Sequence, residues 1–224
     1  AASIALEFGA TLDDIHQGLA LMQPVKGRLN LHQLVDKKTG CRIKIIDDSY
    51  NANLDSAKAA TSLLSSYSGY QLLVLGDMGE LGSEARSYHQ EVGEHALDLK
   101  INTLLSLGVL SQSASDVFEK QNKSEGEASQ TGKHFNQRTE LAKHLFLLIN
   151  AQISQGQQDI AILIKGSRSA QMEHVVTDVI NGFADAEAVI EENSESNVES
   201  NVESNSKTTT EKNTKNNKKG VAKC

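Results

Sequence analysis

The chain has 224 residues, 38% of them hydrophobic, and a formal net charge of −7. That length fits one or two domains, and the acidic balance argues against a surface built mainly to hold nucleic acid. No run of about 18 apolar residues occurs, so no segment reads as a membrane span.

The first residues, AASIALEFGATLDDI, have no basic region ahead of their apolar ones and do not read as a secretory signal. The chain lacks an initial methionine and opens in what reads as the middle of a helix, so a fragment is expected.

Thr11 is placed to cap a short helix over residues 11–22, with Asp13 and Asp14 in the first turn, where the helix dipole favours negative charge. Residues 28–36 and 41–47 alternate apolar and polar on either side of KKTG and predict a β-hairpin. A helical period follows over 54–67, then a strand at 71–76, a helix at 83–99, a strand at 102–108 and a helix around 111–120. A helix over 137–153, a strand at 160–166 and a helix over 169–180 complete the series. Strands that are nearly all apolar, alternating with amphipathic helices, indicate a mostly parallel sheet covered on both faces. The expected fold is a doubly wound, Rossmann-like α/β domain entered through a hairpin.

Two polar stretches stand apart. EKQNKSEGEASQTGK, residues 119–133, is longer than most loops in compact domains and is expected to be a mobile surface insertion. From residue 186 the composition changes to ESNV repeats at 195 and 199 and then a Lys-, Thr- and Asn-rich end. Such a sequence buries too little apolar surface to offset ordering entropy, so 186–224 is expected to be a disordered tail. Cys41 and Cys224 lie far apart, so a disulfide framework is not expected and a reducing, cytoplasmic setting is.

In an open α/β sheet, ligands bind outside the carboxyl ends of the strands. Three loops qualify: DDSYNAN (47–53), GDMGELG (76–82) and KGSRS (165–169). In DDSYNAN, Asn53 can cap the following helix, one acid can brace the turn, and the other can accept hydrogen bonds from a ribose diol. GDMGELG has the spacing G-x-x-G-x-x-G, not that of a dinucleotide fingerprint, and Asp77 and Glu80 would repel a pyrophosphate. Two readings stand: its glycines permit tight turns and close helix packing, or its acids meet a cation or an ammonium group. In KGSRS, Lys165, Ser167, Arg168 and Ser169 surround an expected helix start, which favours an anion; the plain alternative is that Ser169 caps the helix and the basic groups are solvated. His89 shares a helix face with Ala85, Val92 and Ala96 and reads as packed rather than catalytic. No P-loop G-x-x-x-x-G-K-[ST] is present, and the histidines show no metal-ligand spacing.

Taken in order, PVKGRLN, DDSYNAN-x-DS, VLGDMGELG and KGSRSAQME resemble the carboxy-terminal part of the Mur ligase family, over about residues 1–182. The resemblance divides the chain into 1–27, the end of a central ATPase domain; 28–185, the family's carboxy-terminal domain; and the tail, 186–224. It implies ATP-dependent amide formation in peptidoglycan synthesis. ATP and Mg2+ activate the carboxylate of a UDP-N-acetylmuramoyl-tripeptide as an acyl phosphate, and the amine of D-alanyl-D-alanine attacks it. Arg28 would face the nucleotide at an interdomain hinge and Asp48 would hold the ribose, with Tyr50, Asn51 and Asn53 shaping that loop. Lys165, Ser167, Arg168 and Ser169 would receive the dipeptide carboxylate, and Asp77 and Glu80 would line the same cleft.

Leu54 stands where the family pattern has proline, a change expected to cost only about 0.4–1 kcal/mol. The P-loop, the magnesium ligands and a carbamylated lysine belong to family domains outside this chain, so no catalytic residue is expected here and the chain alone is expected to be inactive. The competing expectation is a non-catalytic domain of the same scaffold that binds small anions or a partner.

Overall fold

The computed structural model describes residues 2–21, 25–125, 130–184 and 189–191. Two short helices come first, α1 (Ala2–Glu7) and α2 (Leu12–Ala20). Thr11 caps α2 as expected: its hydroxyl accepts from the Asp14 N–H at 3.1 Å, and the Asp14 carboxylate accepts from the Thr11 N–H at 2.8 Å. Neither helix buries a residue, and Ile4, Phe8, Leu12 and Leu21 are exposed.

The hairpin follows, β1 (Asn30–Val35) and β2 (Arg42–Asp48), paired antiparallel. Asp36 closes its turn by accepting from the backbone and hydroxyl of Thr39. The chain then runs α3 (Leu54–Ser65), β3 (Tyr70–Gly76), α4 (Ala85–Asp98), β4 (Thr103–Leu107), α5 (Gln112–Glu125) and β5 (Thr131–Phe135). It returns through α6 (Arg138–Ser154), β6 (Asp159–Lys165), α7 (Glu173–Ala184) and β7 (Val189–Glu191). Strand order is β5-β4-β3-β6-β2-β1-β7. The first five strands are mutually parallel; β1 and β7 extend the sheet in antiparallel fashion.

That order explains the two layers. From β2 through β3 and β4 to β5 the chain steps one way along the sheet, and right-handed crossovers put α3, α4 and α5 on a single face. The return from β5 to β6 reverses direction and puts α6 on the other face, where α7 joins it. Alternate strand residues divide accordingly. Leu73 and Leu75 pack with Leu64, Val92 and Phe118, whereas Leu72 and Val74 pack with Leu145, Ile149, Val175 and Val179. The buried apolar residues of α6, Leu141, Leu145, Ile149 and Ile153, repeat every fourth residue, as a one-sided helix requires.

Much of the segment 119–133 is regular structure, not an inserted loop. Residues up to Glu125 continue α5, and Thr131 begins β5, which the sequence reading did not place; residues 126–129 lie outside those described. EKQNKSE contains good helix formers, so the helix persists beyond its apolar stripe. Glycines admit α5 closely on two sides: a Cβ on Gly93 would lie 2.4 Å from the Ala114 carbonyl oxygen, and one on Gly132 2.6 Å from that of Ser115. Of the expected tail, Val189–Glu191 pair with β1, Val189 opposite Val35, while 186–188 and 192–224 lie outside the described residues.

Candidate functional site

Strands β2 and β6 are neighbours whose following helices lie on opposite faces, so their carboxyl ends border a crevice at the topological switch point. The three expected loops all leave this rim, after β2, β3 and β6.

The loop after β2 assigns its two acids different duties. Asp47 is buried and accepts from the Ser49 N–H at 3.1 Å and the Ser49 hydroxyl at 2.5 Å, bracing the turn. Asp48 turns to the cleft, where Oδ1 accepts from the Leu29 N–H at 3.3 Å and Oδ2 forms an ion pair with Lys165 Nζ. Lys165 also donates to the Asn51 carbonyl at 3.0 Å. Asn51 Oδ1 accepts from the Ala52 N–H at 2.9 Å, and Asn53 caps α3 in a reciprocal box with Ser56.

Gly27 and Arg28 dock on this loop. The Tyr50 N–H donates to the Gly27 carbonyl at 2.9 Å, and the Arg28 guanidinium lies 4.3 Å from the Tyr50 ring centre. Gly27 has φ +75°, and a Cβ there would press on Tyr50 N at 3.0 Å, so glycine permits the approach. Leu29 follows with φ 53°, a left-handed conformation held at some strain between Asp48 and the hairpin.

Two clefts result, with a common wall. The first, about 540 Å³, is lined by Arg28, Leu29, Asp48, Tyr50, Asn51 and Asn53, with Ala59 and Leu63 of α3 and the end of Lys165. The second, about 710 Å³, is lined by Gly79, Glu80, Leu81, Ser167, Arg168 and Ser169 across from the same Tyr50–Asn53 stretch. Acid and base thus face one cleft: Glu80, held at φ 60°, and Arg168.

Three expectations require correction. Lys165 is not a free anion receiver: its side chain is only 2% exposed and its charge is met by Asp48. Asp77 does not line the second cleft. Its carboxylate turns to the loop after β4 and accepts from the N–H groups of Val109, Leu110 and Ser111 at 3.1, 3.0 and 2.8 Å. Nor does KGSRS open an α-helix directly. Arg168–Ala170 form a 3₁₀ turn, Gln171 is left-handed, and α7 starts at Glu173, whose carboxylate accepts from Arg168 at 3.0 Å. Ser167 and Ser169 hydroxyls bond to each other at 2.9 Å, so the anion-attracting part of the loop is Arg168 and these serines.

The loops also brace one another. Ser167 N–H donates to the Asp77 carbonyl at 2.9 Å, and Gly76 and Gly166 leave room for Met172 beneath them. His89 is wholly buried and supports the GDM turn. Its Nε2 accepts from the Met78 N–H at 2.9 Å while Nδ1 donates to the Ala85 carbonyl at 2.6 Å. Burial pushes its pKa below the usual histidine value, against smaller opposing effects of Ala85 and Asp77. The packed role read from the sequence holds. Sequence reasoning missed Leu29 and Glu173; the first acts through its backbone, and the second meets Arg168 only because α7 begins late.

Among the described residues, no group of three or more His, Cys, Asp or Glu side chains could hold a metal ion. The fold and this rim define a class: a doubly wound α/β domain with two polar clefts side by side at its switch point. The sequence profile of the family described as "Mur ligase, glutamate ligase domain" matches residues 27–168, and the chain belongs to that family.

The chain is similar to the UDP-N-acetylmuramoyl-tripeptide–D-alanyl-D-alanine ligase of Escherichia coli (strain K12), with 43% identity over 79% of this chain and 34% of that relative. It is similar to the ligase of the same description from Haemophilus influenzae, with 35% identity over 79% of this chain and 35% of the relative. Among solved structures, MurF from Acinetobacter baumannii superposes with a TM-score of 0.62 and 32% identity, over 80% of this chain and 35% of that one. The chain therefore spans about a third of the length of the relatives it matches.

Proposed function

We propose that this chain is the carboxy-terminal lid domain of a cytoplasmic ATP-dependent ligase that joins D-alanyl-D-alanine to a UDP-N-acetylmuramoyl-tripeptide in peptidoglycan synthesis. The relatives are named as UDP-N-acetylmuramoyl-tripeptide–D-alanyl-D-alanine ligases and are about three times as long as the matched part, so on this reading the remaining domains of the ligase are the partners of this one. Residues 1–27 belong, on this reading, to the end of the central domain, and the exposed apolar side chains of α1 and α2 face it.

One observation carries the reading: the Tyr50–Asn53 stretch is the shared wall of two clefts, so a nucleotide in one and a dipeptide in the other lie side by side. The first cleft fits the ribose end of ATP. Asp48 keeps a lone pair on each carboxylate oxygen beyond its bonds to Leu29 and Lys165, enough to accept from two hydroxyls. Arg28, fixed over Tyr50, lies at the same opening. ATP supplies the phosphoryl group that activates the tripeptide carboxyl as an acyl phosphate. No residue group described here fits Mg2+, which falls to the rest of the ligase.

The second cleft suits the dipeptide. Arg168, Ser167 and Ser169 offer donors to its carboxylate, and Glu80 offers an acceptor to its ammonium. Holding the amine oriented beside the activated carboxyl converts an encounter into a local attack, and closure of the lid keeps water from the acyl phosphate. The test is a pair of variants in the ligase that carries this domain. Asp48→Ala is expected to raise the KM for ATP, and Arg168→Ala the KM for D-alanyl-D-alanine. If either change left both constants unaltered, the division of the rim into nucleotide and dipeptide clefts would be wrong.

A further inference from the structure

The strand β6, DIAILIK, is apolar for five residues and then ends on a lysine buried to 2% exposure. Its register partner on β2 is Asp48, so adjacent parallel strands bring the two charges together at one rim. Burying an ammonium group is costly, and a well-packed apolar pair commonly serves folding as well as a buried ion pair does. Folding alone therefore gives no reason for a lysine here.

The contacts supply one. Lys165 Nζ occupies one oxygen of Asp48 and also holds the Asn51 carbonyl, while the Leu29 N–H occupies the other Asp48 oxygen. The carboxylate is thereby fixed at both oxygens, and the loop carrying Tyr50, Asn51 and Asn53 is tied to the same ammonium. Both Asp48 and Lys165 line the first cleft. A vicinal diol presents two hydroxyls at fixed separation and gains most from a carboxylate that cannot rotate away, because the cost of ordering it has already been met.

Building on the nucleotide reading above, we propose that Lys165 is a positioning residue for diol recognition: its ammonium locks the Asp48 carboxylate and the Asn51 carbonyl into the arrangement that accepts both ribose hydroxyls. Lys165 thus sets the preference of the ligase for a ribonucleotide over a deoxyribonucleotide without touching the dipeptide.

The experiment compares ATP with 2′-deoxy-ATP in the ligase that carries this domain, for the wild type, Lys165→Gln and Asp48→Ala. In the wild type, loss of one hydroxyl bonded to a charged group is expected to raise KM about tenfold. Lys165→Gln is expected to bring the two KM values within about twofold of each other, chiefly by weakening ATP, with kcat at saturation changed less than KM. A lysine that only supports the fold would weaken both nucleotides in parallel and leave their ratio intact, which would overturn the proposal.

The Asp48→Ala variant separates the two layers of the argument. An unaltered KM for ATP there would overturn the nucleotide reading and this inference with it. A collapsed ratio in Asp48→Ala beside an intact one in Lys165→Gln would overturn the role of Lys165 alone. If Lys165→Gln does not fold, as judged by its thermal melt, the ¹⁵Nζ resonance of Lys165 in the wild-type ligase is the readout. It is expected to shift on addition of ADP and to stay in place with 2′,3′-dideoxy-ADP; equal responses to the two would overturn the proposal.

Discussion

Lys165 and Asp48, 117 positions apart in sequence, meet as a part-buried ion pair at the carboxyl ends of two adjacent parallel strands. The pair joins the loop after β2 to the loop after β6 and so holds together the rim on which both clefts open. Its energetic signature is asymmetric. Asp48→Asn leaves the buried Lys165 ammonium unmatched and is expected to cost about 3–5 kcal/mol, whereas Asp48→Asn with Lys165→Met is expected to cost far less. Urea unfolding of the two single variants and the double variant measures that coupling.

Asp77 is expected to act on stability rather than on dipeptide affinity. Its carboxylate satisfies the backbone N–H groups of Val109, Leu110 and Ser111, and Asp77→Ala strands them at the start of α5. The expected loss is about 2–4 kcal/mol in chemical denaturation, because bonds to a charged acceptor are stronger than neutral ones and two part-buried donors lose their partner. In the folded ligase at low temperature, the KM for D-alanyl-D-alanine should stay within about twofold of the wild type. A large rise in that KM without loss of stability would return Asp77 to the dipeptide cleft.

His89 makes folding stability depend on pH. Its folded-state pKa lies below the unfolded value of 6.5, so between the two the unfolded chain binds more protons. Stability from this site is therefore complete above pH 6.5 and falls as pH drops through the window beneath it, by at most about 1.4 kcal/mol per pH unit for one proton. His144 is shifted the same way, by burial and then by Lys133, so the two contributions add. Denaturant melts at pH 7.5 and 5.5 are expected to differ less for His89→Gln than for the wild type. An equal difference would place the proton uptake elsewhere.

Close packing of α5 gives a further prediction. A methyl group on Gly132 would press against the Ser115 carbonyl and Glu119. Gly132→Ala is expected to destabilise the domain by about 1–3 kcal/mol through overpacking. Thermal denaturation reads this directly, and a neutral outcome would mean that β5 and α5 do not pack as described.

Much of the architecture was legible because its signals are local. LLVL and IAILI are apolar on both faces, as only a doubly covered parallel strand can be, and the Asn53 and Thr11 caps follow from residues three positions away. Strand β5, TGKHF, was not legible: it is a polar edge strand with two inward residues, Gly132 and Phe135, at irregular spacing. In the site, residue types alone could pose the division of labour between Asp47 and Asp48, and only the family resemblance named Asp48 for the cleft. The assignments of Lys165 and Asp77 failed for one physical reason. Each side chain answers to a strand neighbour remote in sequence, β2 for Lys165 and β4 for Asp77, and residue type alone does not say which way a charge at a strand end will turn.

The account turns on where ribose sits relative to Asp48. A crystal structure of the ligase that carries this domain, with ADP and D-alanyl-D-alanine bound, tests it most directly. The account predicts both ribose hydroxyls within about 3.2 Å of the Asp48 carboxylate, and the dipeptide carboxylate against Arg168 beyond the Tyr50–Asn53 wall. A nucleotide that leaves Asp48 paired only with Lys165 and Leu29, its ribose turned elsewhere, would contradict it.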